Sequence, residues 1–163
     1  MKISYQSPGK KIFKRTIDPY HAIRYDGDWY LIAYCHNRKS IRTFSLSRII
    51  KAAILENSFD IPEDFDFEKI SSSRFGIQWG GNEESVSIRF SAEATPYLLE
   101  RNWHPSQEIN EQPDGTTILN LKTIVSFELK RWLLSWGSQA TVLKPPRLVN
   151  EMETEIRQMI KKL

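Results

Sequence analysis

Short runs of alternating apolar and polar residues fill the first third of the chain, and turn formers separate them. The segment Asp26-Gly27-Asp28 is a strong signal for a hairpin between two such runs. Five or six short strands at this spacing predict a small β-barrel, here placed over residues 1–56. The predicted strands are residues 2–5, 12–17, 21–25, 29–36, 41–46 and 49–55.

Residues 57–84 lack this alternation, and turn formers and acidic residues dominate them. The only regular element predicted there is a short helix at 66–73. Segments of this composition commonly connect domains. We therefore expect an acidic linker between the barrel and a second domain.

Residues 85–163 switch between strand-like and helix-like periodicity, which predicts the order β-α-β-β-α-β followed by a final helix. This order is that of a ferredoxin-like domain, and the whole chain is then of the α+β class. Ser126 is expected to cap the second helix, and Gly137 to end it. The predicted elements are residues 86–90, 94–102, 108–112, 116–124, 126–137, 140–143 and 147–163.

The net charge of +3 conceals an uneven distribution. Residues 1–51 hold 11 Lys and Arg against three acids, whereas residues 52–85 hold two against eight. A basic first third predicts an anionic partner. The apolar runs are too short to span a membrane, and a single cysteine, Cys35, suits the reducing cytoplasm. Three scattered histidines predict no metal site, and we expect no cofactor.

Five short blocks in the first third resemble, in order and spacing, the signature of the WYL domain, a bacterial ligand-sensing module named for a Trp-Tyr-Leu tripeptide. The tail resembles the WCX extension that often follows it, through residues 103–107 and 130–137. The five blocks are Asp18-Pro19-Tyr20, Trp29-Tyr30-Leu31, Tyr34-Cys35-His36, Arg42-Thr43-Phe44 and Ser47-Arg48-Ile49.

This resemblance implies an Sm-like (SH3-like) barrel followed by a ferredoxin-like domain. Most members of the family are homodimeric transcriptional regulators with an N-terminal winged helix-turn-helix, and single-stranded DNA is the ligand best associated with them. Related domains accompany CRISPR and phage-defence systems and can bind RNA. Because the first WYL strand begins at residue 2, we expect a sensing fragment of a longer regulator rather than a stand-alone module.

Alternation along residues 29–36 separates two sets of side chains. Trp29 and Leu31 share a face with Ala33 and Cys35 and are expected to fill the barrel. The opposite face is then left for a ligand or partner. Its candidate binding residues are Tyr30, Tyr34 and His36.

Arginines near this strand are candidate phosphate ligands. Arg42 and Arg48 are expected at opposite rims of the barrel, unless a bulge redirects one of them, with Phe44 and Leu46 between them in the core. Each arginine could instead form a surface ion pair, worth about 0–1 kcal/mol. Residues 27–51 contain only one acid, Asp28, which favours an external anion. The further candidates are Arg38, Arg15 and Tyr20, and in the second domain Arg101, His104 and Gln107.

Three functions fit these observations. The first is a homodimeric sensor that binds single-stranded DNA, with arginines on phosphates and aromatic side chains on bases. The second is a sensor of a small nucleotide, and the third is a dimerisation or scaffold module. An enzyme is not expected, because no nucleophile, paired carboxylates or Gly-rich phosphate loop stands in a catalytic pattern.

Overall fold

The computed structural model describes residues 1–72, 75–77 and 81–163, which form two compact units. Residues 1–67 and Ile77 make up the first unit. Residues 68–72, 75–76 and 81–163 make up the second unit. The segment 57–67, which the sequence assigns to a linker, therefore groups with the first sheet.

The first unit is an antiparallel five-stranded sheet with the strand order β4-β3-β2-β1-β5. The second strand is one long element where the sequence predicts two, and its pairing shifts between Pro19 and His21. Proline has no N–H to donate, so a strand tolerates it where the ladder is irregular. The strands are β1 (Lys2–Tyr5), β2 (Phe13–Tyr25), β3 (Asp28–Cys35), β4 (Ser40–Ser45) and β5 (Ile49–Ala53).

This sheet is curled but is not a closed barrel, since no ladder joins β4 to β5 in the described part of the chain. Only the 3₁₀ turn Leu46–Arg48 connects these strands, although they lie at opposite edges. Four Cα–Cα steps lead from Ser45 to Ile49 and span at most about 14 Å, so these ends of the two edge strands must approach each other. After the turn the chain continues into β5, which pairs with β1 rather than with β4. The predicted closed barrel is therefore not formed.

The inner face of the first sheet carries its hydrophobic core, and we use this name for the face that holds Tyr5, Ala33 and Phe44. The predicted inward orientation of Ala33, Cys35 and Phe44 is confirmed. The same prediction is wrong for Trp29 and Leu46, which are 51% and 41% exposed. Trp29 lies at the hairpin end of β3, and Leu46 lies beyond the end of β4, so neither side chain reaches the core.

The second unit is a four-stranded antiparallel sheet with the order β7-β8-β6-β9. Helices follow the first and third of its strands along the chain, and a long helix follows the last. A short helix, α1 (Phe67–Ser72), precedes them, near the predicted 66–73. The elements are β6 (Glu83–Phe90), α2 (Thr95–Leu99), β7 (Glu108–Glu111), β8 (Thr117–Ile124), α3 (Phe127–Ser135), β9 (Ala140–Lys144) and α4 (Pro146–Ile160).

Local signals set the ends of α3 as the sequence predicts. The Ser126 hydroxyl accepts a hydrogen bond from the backbone N–H of Leu129 at 3.0 Å, which satisfies a free donor of the first turn. Gly137 follows the helix with a φ of +57°, a conformation that favours glycine. The core of the unit consists chiefly of Phe90, Leu98, Leu119, Leu129, Leu133 and Leu148.

Candidate ligand-binding cleft

A cleft of about 320 Å³ opens on the inner face of the first sheet, and cationic side chains line it. They come from five separate segments of the chain, so the cleft exists only after the sheet has folded. Its lining contains no Asp or Glu. The five cations are Lys10, Arg15, Arg38, Arg42 and Arg48, and we call them the cation cluster.

Strand register explains how two of these arginines reach the cleft. Arg15 of β2 is paired with Ile3, and Arg42 of β4 is paired with Ala33. Directly paired residues of an antiparallel ladder project to the same face of the sheet. Since Ile3 and Ala33 are buried in the core, Arg15 and Arg42 also project to the inner face.

Tight turns supply two more members of the cation cluster. In the turn Ser7-Pro8-Gly9-Lys10, the Lys10 N–H donates to the Ser7 carbonyl at 3.0 Å. Gly9 there has a φ of +68°, which glycine adopts at little cost. The order Pro-Gly in the middle of a turn is the usual sequence for this geometry, and it directs the chain back toward β2.

The turn between β3 and β4 carries Arg38 and is held against β2. The backbone N–H of Arg38 donates to the Cys35 carbonyl at 3.0 Å. Thr16 of β2 fixes the turn from the other side, because its N–H donates to Asn37 Oδ1 at 3.1 Å and its carbonyl accepts from His36 N at 3.1 Å. The position of Arg38 is therefore set by backbone contacts rather than by its own side chain.

Three aromatic rings, Tyr5, Phe13 and Phe44, line the cleft beside the cations. Tyr5 and Phe44 meet edge to face at 5.3 Å, and the Arg15 guanidinium lies 4.4 Å from the centre of the Phe13 ring. Tyr5 and Phe13 are not among the candidate binding residues predicted from the sequence. The alternation Phe13, Arg15, Ile17 could have indicated that this ring and this arginine share a face.

No ion pair neutralises the cation cluster within the described residues. Arg42 Nε donates to Ser40 Oγ at 3.2 Å, and Arg15 donates weakly to a backbone carbonyl at 3.5 Å. Clustered positive charges without local acids repel one another and attract an anion. The cleft is thus suited to a phosphate group, which planar guanidinium groups bind with two parallel hydrogen bonds.

Tyr30 and Tyr34, which the sequence groups with these arginines as candidate binding residues, lie on the opposite face of the sheet. Tyr34 is paired with Asp18 and Ile41, one position out of step with the pair of Ala33 and Arg42, so it projects to the outer face. Tyr30 lies on that outer face too, because it precedes Tyr34 by four positions, two full periods of the strand.

The outer face is occupied by contacts within the protein. Tyr20 packs against Phe59 and Phe65, with ring centres 6.1 and 5.0 Å away. Burial, and secondarily the charge of Asp18, raises the pKa of Tyr20. His36 Nε2 lies 2.8 Å from Asp18 Oδ2. These contacts give Tyr20 and His36 structural partners of their own.

The second-unit candidates take part in a compact turn. The Gln107 side chain accepts a hydrogen bond from Trp103 N at 2.7 Å, and the Arg101 guanidinium lies 5.7 Å from the centre of the Trp103 ring. His104 is only 3% exposed, its Nδ1 accepts from the N–H of Ser106 at 3.1 Å, and burial lowers its pKa. The His104 ring is therefore held inside this turn by its neighbours.

Trp132 of α3 and Trp136, the residue directly after α3, both pack against Trp103. Their ring centres are 5.1 and 5.8 Å from that of Trp103.

Among the residues described, none form a group of three or more metal-ligating side chains. Within the described part of the chain, no helix combines the length and the apolar character needed to cross a membrane.

Two family models match this chain, the WYL domain over residues 1–54 and the WCX domain over residues 82–160. The chain belongs to the WYL–WCX family. The two matched segments correspond to the two sheets, and the cation cluster lies wholly within the WYL segment. The resemblance stated from the sequence is therefore confirmed.

Curated relatives of this WYL–WCX chain include Protein PafC of Mycobacterium tuberculosis, which is 26% identical over 148 residues, or 91% of this chain and 45% of the relative. The uncharacterized HTH-type transcriptional regulator YobV of Bacillus subtilis is 22% identical over 165 residues, or 99% of this chain and 50% of the relative. The chain thus spans about half the length of the curated relatives it matches.

A solved structure described as a CRISPR Cas-related protein has a similar fold. It aligns over 99% of this WYL–WCX chain and 46% of its own, with a TM-score of 0.60 and 12% sequence identity. At this identity the likeness concerns the fold alone.

Proposed function

We propose that this WYL–WCX chain is the effector-sensing part of a bacterial transcriptional regulator, and that its cation cluster binds the phosphates of single-stranded DNA. The observation that carries the proposal is the convergence of five cationic side chains on one cleft whose lining holds no carboxylate. A relative named as an HTH-type transcriptional regulator supports the regulatory role.

In this proposal the cations and the aromatic rings of the cleft bind different parts of the ligand. Arg38, Arg42 and Arg48 pair with phosphates, and the Arg15–Phe13 pair offers a flat surface on which a base stacks. Stacking of a base on an aromatic or guanidinium plane contributes about 1–3 kcal/mol and is tolerant of sequence. The ligand is therefore recognised as a single strand, because its bases must be free to stack.

The regulatory output follows from a shift between two arrangements of the protein. A ligand that binds one arrangement more tightly raises its population by the difference in binding free energy. We propose that a helix-turn-helix domain of the full-length regulator responds to that shift, that the regulator acts as a homodimer in the cytoplasm, and that this chain catalyses no reaction.

A small nucleotide is a second candidate ligand, and the size of the cleft favours it. A volume of about 320 Å³ is at the lower end of ordinary small-molecule sites and holds little more than one nucleotide. The same arginines would then bind the phosphates of a free nucleotide, and no neighbouring surface would contact a strand.

Strand order supports a finer assignment of the two folds. We propose that the order β4-β3-β2-β1-β5 is an open variant of the Sm-like sheet. For the second unit, the element order together with the strand order β7-β8-β6-β9 supports a ferredoxin-like domain.

Fluorescence anisotropy with a labelled short single-stranded DNA tests the proposal. The titration is run near physiological salt, where a Debye length of about 8 Å weakens non-specific electrostatic binding. We expect selective binding that Arg42→Ala and Arg48→Ala each weaken by about tenfold or more, since a charge-assisted hydrogen bond contributes roughly 1.5–3 kcal/mol. Arg24→Ala is the matched control, an exposed arginine of β2 outside the cleft.

Competitors separate the two candidate ligands. Duplex DNA, RNA and a panel of mononucleotides are added to the labelled complex. Displacement by mononucleotides alone, without single-strand binding, would favour the nucleotide sensor. Equal affinity for single-stranded and duplex DNA, or an equal loss in Arg24→Ala and Arg42→Ala, would argue against the proposed site.

A further inference from the structure

Asp28, at the start of β3, is the only acidic residue between positions 27 and 51. It forms no ion pair with any cation among the residues that the structure describes. Its Oδ2 atom lies instead 3.0 Å from the Ser47 hydroxyl and 3.3 Å from the Ser45 hydroxyl. The carboxylate is therefore bound to the turn Leu46–Arg48, which carries one member of the cation cluster.

The two serine hydroxyls lie 2.6 Å apart, so they and the carboxylate form one hydrogen-bonded chain. Each hydroxyl has a single proton to donate. In the arrangement that uses the two shortest contacts, Ser45 donates to Ser47, and Ser47 donates to Asp28. A hydrogen bond that ends on a carboxylate is stronger than one between neutral groups. The charge of Asp28 therefore strengthens the contact that ties β3 to the turn.

The end of β1 holds the same turn from the other side. Ser45 is buried, and its backbone N–H donates to the Tyr5 hydroxyl at 3.2 Å. The Arg48 carbonyl accepts a hydrogen bond from the backbone N–H of Gln6 at 3.1 Å. The backbone from which the Arg48 side chain extends is thus fixed between β1 and the Asp28 carboxylate.

Arg48 depends on such support more than Arg42 does. Arg42 lies within β4, where the ladder with β3 sets its position. Arg48 lies in a three-residue turn between two strands, and its side chain is exposed. When a binding side chain is not ordered beforehand, ordering it upon binding reduces the affinity. The hydrogen bonds of the turn therefore bear directly on how well Arg48 binds an anion.

We propose that Asp28 is a positioning residue of the cation cluster, which orders the turn so that Arg48 is directed into the cleft. The inference rests on the proposed function and adds to it a residue that touches no ligand. It also predicts an effect of opposite sign to simple electrostatics. Removal of a carboxylate makes the chain more positive, which by charge alone strengthens the binding of an anion. Loss of the ordered turn is expected to weaken it.

Anisotropy titrations with the labelled single-stranded DNA test this sign. Asp28→Ala is expected to bind at least about fivefold more weakly than wild type, a smaller loss than that of Arg48→Ala. Asp28→Asn keeps an acceptor oxygen and should restore part of the affinity. Thermal unfolding checks that each variant is folded. Unchanged or tighter binding by Asp28→Ala would overturn the proposal.

Asp26→Asn is the matched control for charge. It removes the same charge two positions away, in the hairpin turn before β3. Asp26 has a φ of +49°, a conformation that asparagine tolerates well. This variant is expected to bind at least as tightly as wild type. A loss equal to that of Asp28→Asn would show that the hydrogen bonds of Asp28 are not the cause.

A double-mutant cycle identifies the arginine through which Asp28 acts. In the Arg48→Ala background, Asp28→Ala is expected to cause little further loss of affinity, because the side chain that it positions is already absent. In the Arg42→Ala background, Asp28→Ala should cause its full loss. Equal losses in the two backgrounds would contradict a role that is specific to Arg48.

Hydrogen exchange measured by NMR tests the turn without any ligand. The backbone N–H groups of Gln6 and Ile49 donate to the carbonyls of Arg48 and Leu46. Asp28→Ala is expected to speed the exchange of both amides, and to leave unchanged that of Arg38, whose N–H lies in a different turn. Unchanged exchange at Gln6 and Ile49 would overturn the positioning role. Faster exchange in a chain whose wild type binds no single-stranded DNA would support that role and overturn the proposed function.

Discussion

Arg42 stands directly opposite Ala33 in the ladder between β3 and β4, and this pairing places its guanidinium on the inner face of the first sheet. Tyr34, the next residue along β3, is paired with Ile41 and projects to the outer face. A single step along a strand therefore separates the cation cluster from the aromatic residues that the sequence grouped with it.

This separation predicts which rings contribute to ligand binding. Phe13→Leu is expected to weaken single-stranded DNA binding several-fold, because it removes the ring on which Arg15 lies at 4.4 Å. Tyr34→Leu is expected to leave the affinity unchanged. Anisotropy titrations of both variants, with thermal unfolding as a check on folding, make the comparison. A larger loss for Tyr34→Leu would place the ligand on the outer face.

The salt dependence of the binding constant is expected to report the number of phosphate contacts. For single strands the logarithm of the binding constant falls with the logarithm of salt concentration by about 0.7 per neutralised phosphate. Arg48→Ala should therefore reduce the slope by roughly 0.7, whereas Arg24→Ala should leave it unchanged. Titrations at four or more salt concentrations measure the slope, and equal slopes for wild type and Arg48→Ala would exclude a phosphate contact.

The cap of α3 is expected to be a sensitive point for stability. Ser126→Ala removes the acceptor for the Leu129 N–H and also the donor to the Phe75 carbonyl, which lies 2.6 Å away. Loss of an N-cap serine costs about 0.5–2 kcal/mol, and loss of the second hydrogen bond adds to it. Urea unfolding measures the free energy. Ser135→Ala, at the exposed end of the same helix, is the control and should change it little.

Stability is expected to fall as the solution is acidified through the ordinary histidine range, because of His104. Burial lowers its pKa below the usual value of 6.5, so the unfolded chain takes up a proton more readily than the folded one. Well above pH 6.5 the His104 ring is neutral in both the folded and the unfolded state, and its full contribution to stability is present. Below this pH, stability is lost progressively until the folded pKa is reached.

Urea unfolding between pH 7.5 and pH 5 measures this effect. The slope of the free energy of unfolding against pH is compared between the wild type and His104→Gln. The variant is expected to be less stable at every pH but to lose less stability on acidification. Parallel curves for the two proteins would show that His104 does not titrate differently in the folded and unfolded states.

Local patterns in the sequence determined most of the elements. Alternation over residues 29–36 predicted β3, and the serine and glycine at 126 and 137 predicted both ends of α3. These features depend on neighbours in sequence, through side-chain period, capping and turn conformation. For the same reason, the inward orientation of Ala33 and Cys35 followed from their positions in one strand.

Tertiary structure alone decided which side chains share a surface. The cation cluster needs the registers of β1 with β2 and of β3 with β4, together with two turns, and such pairings are set by hydrophobic burial across the whole sheet. Burial of His104 and exposure of Trp29 likewise depend on where distant segments pack. The sequence determined the charges and the rings, and the fold decided that the arginines lie beside Phe13 and Tyr5 rather than beside Tyr34.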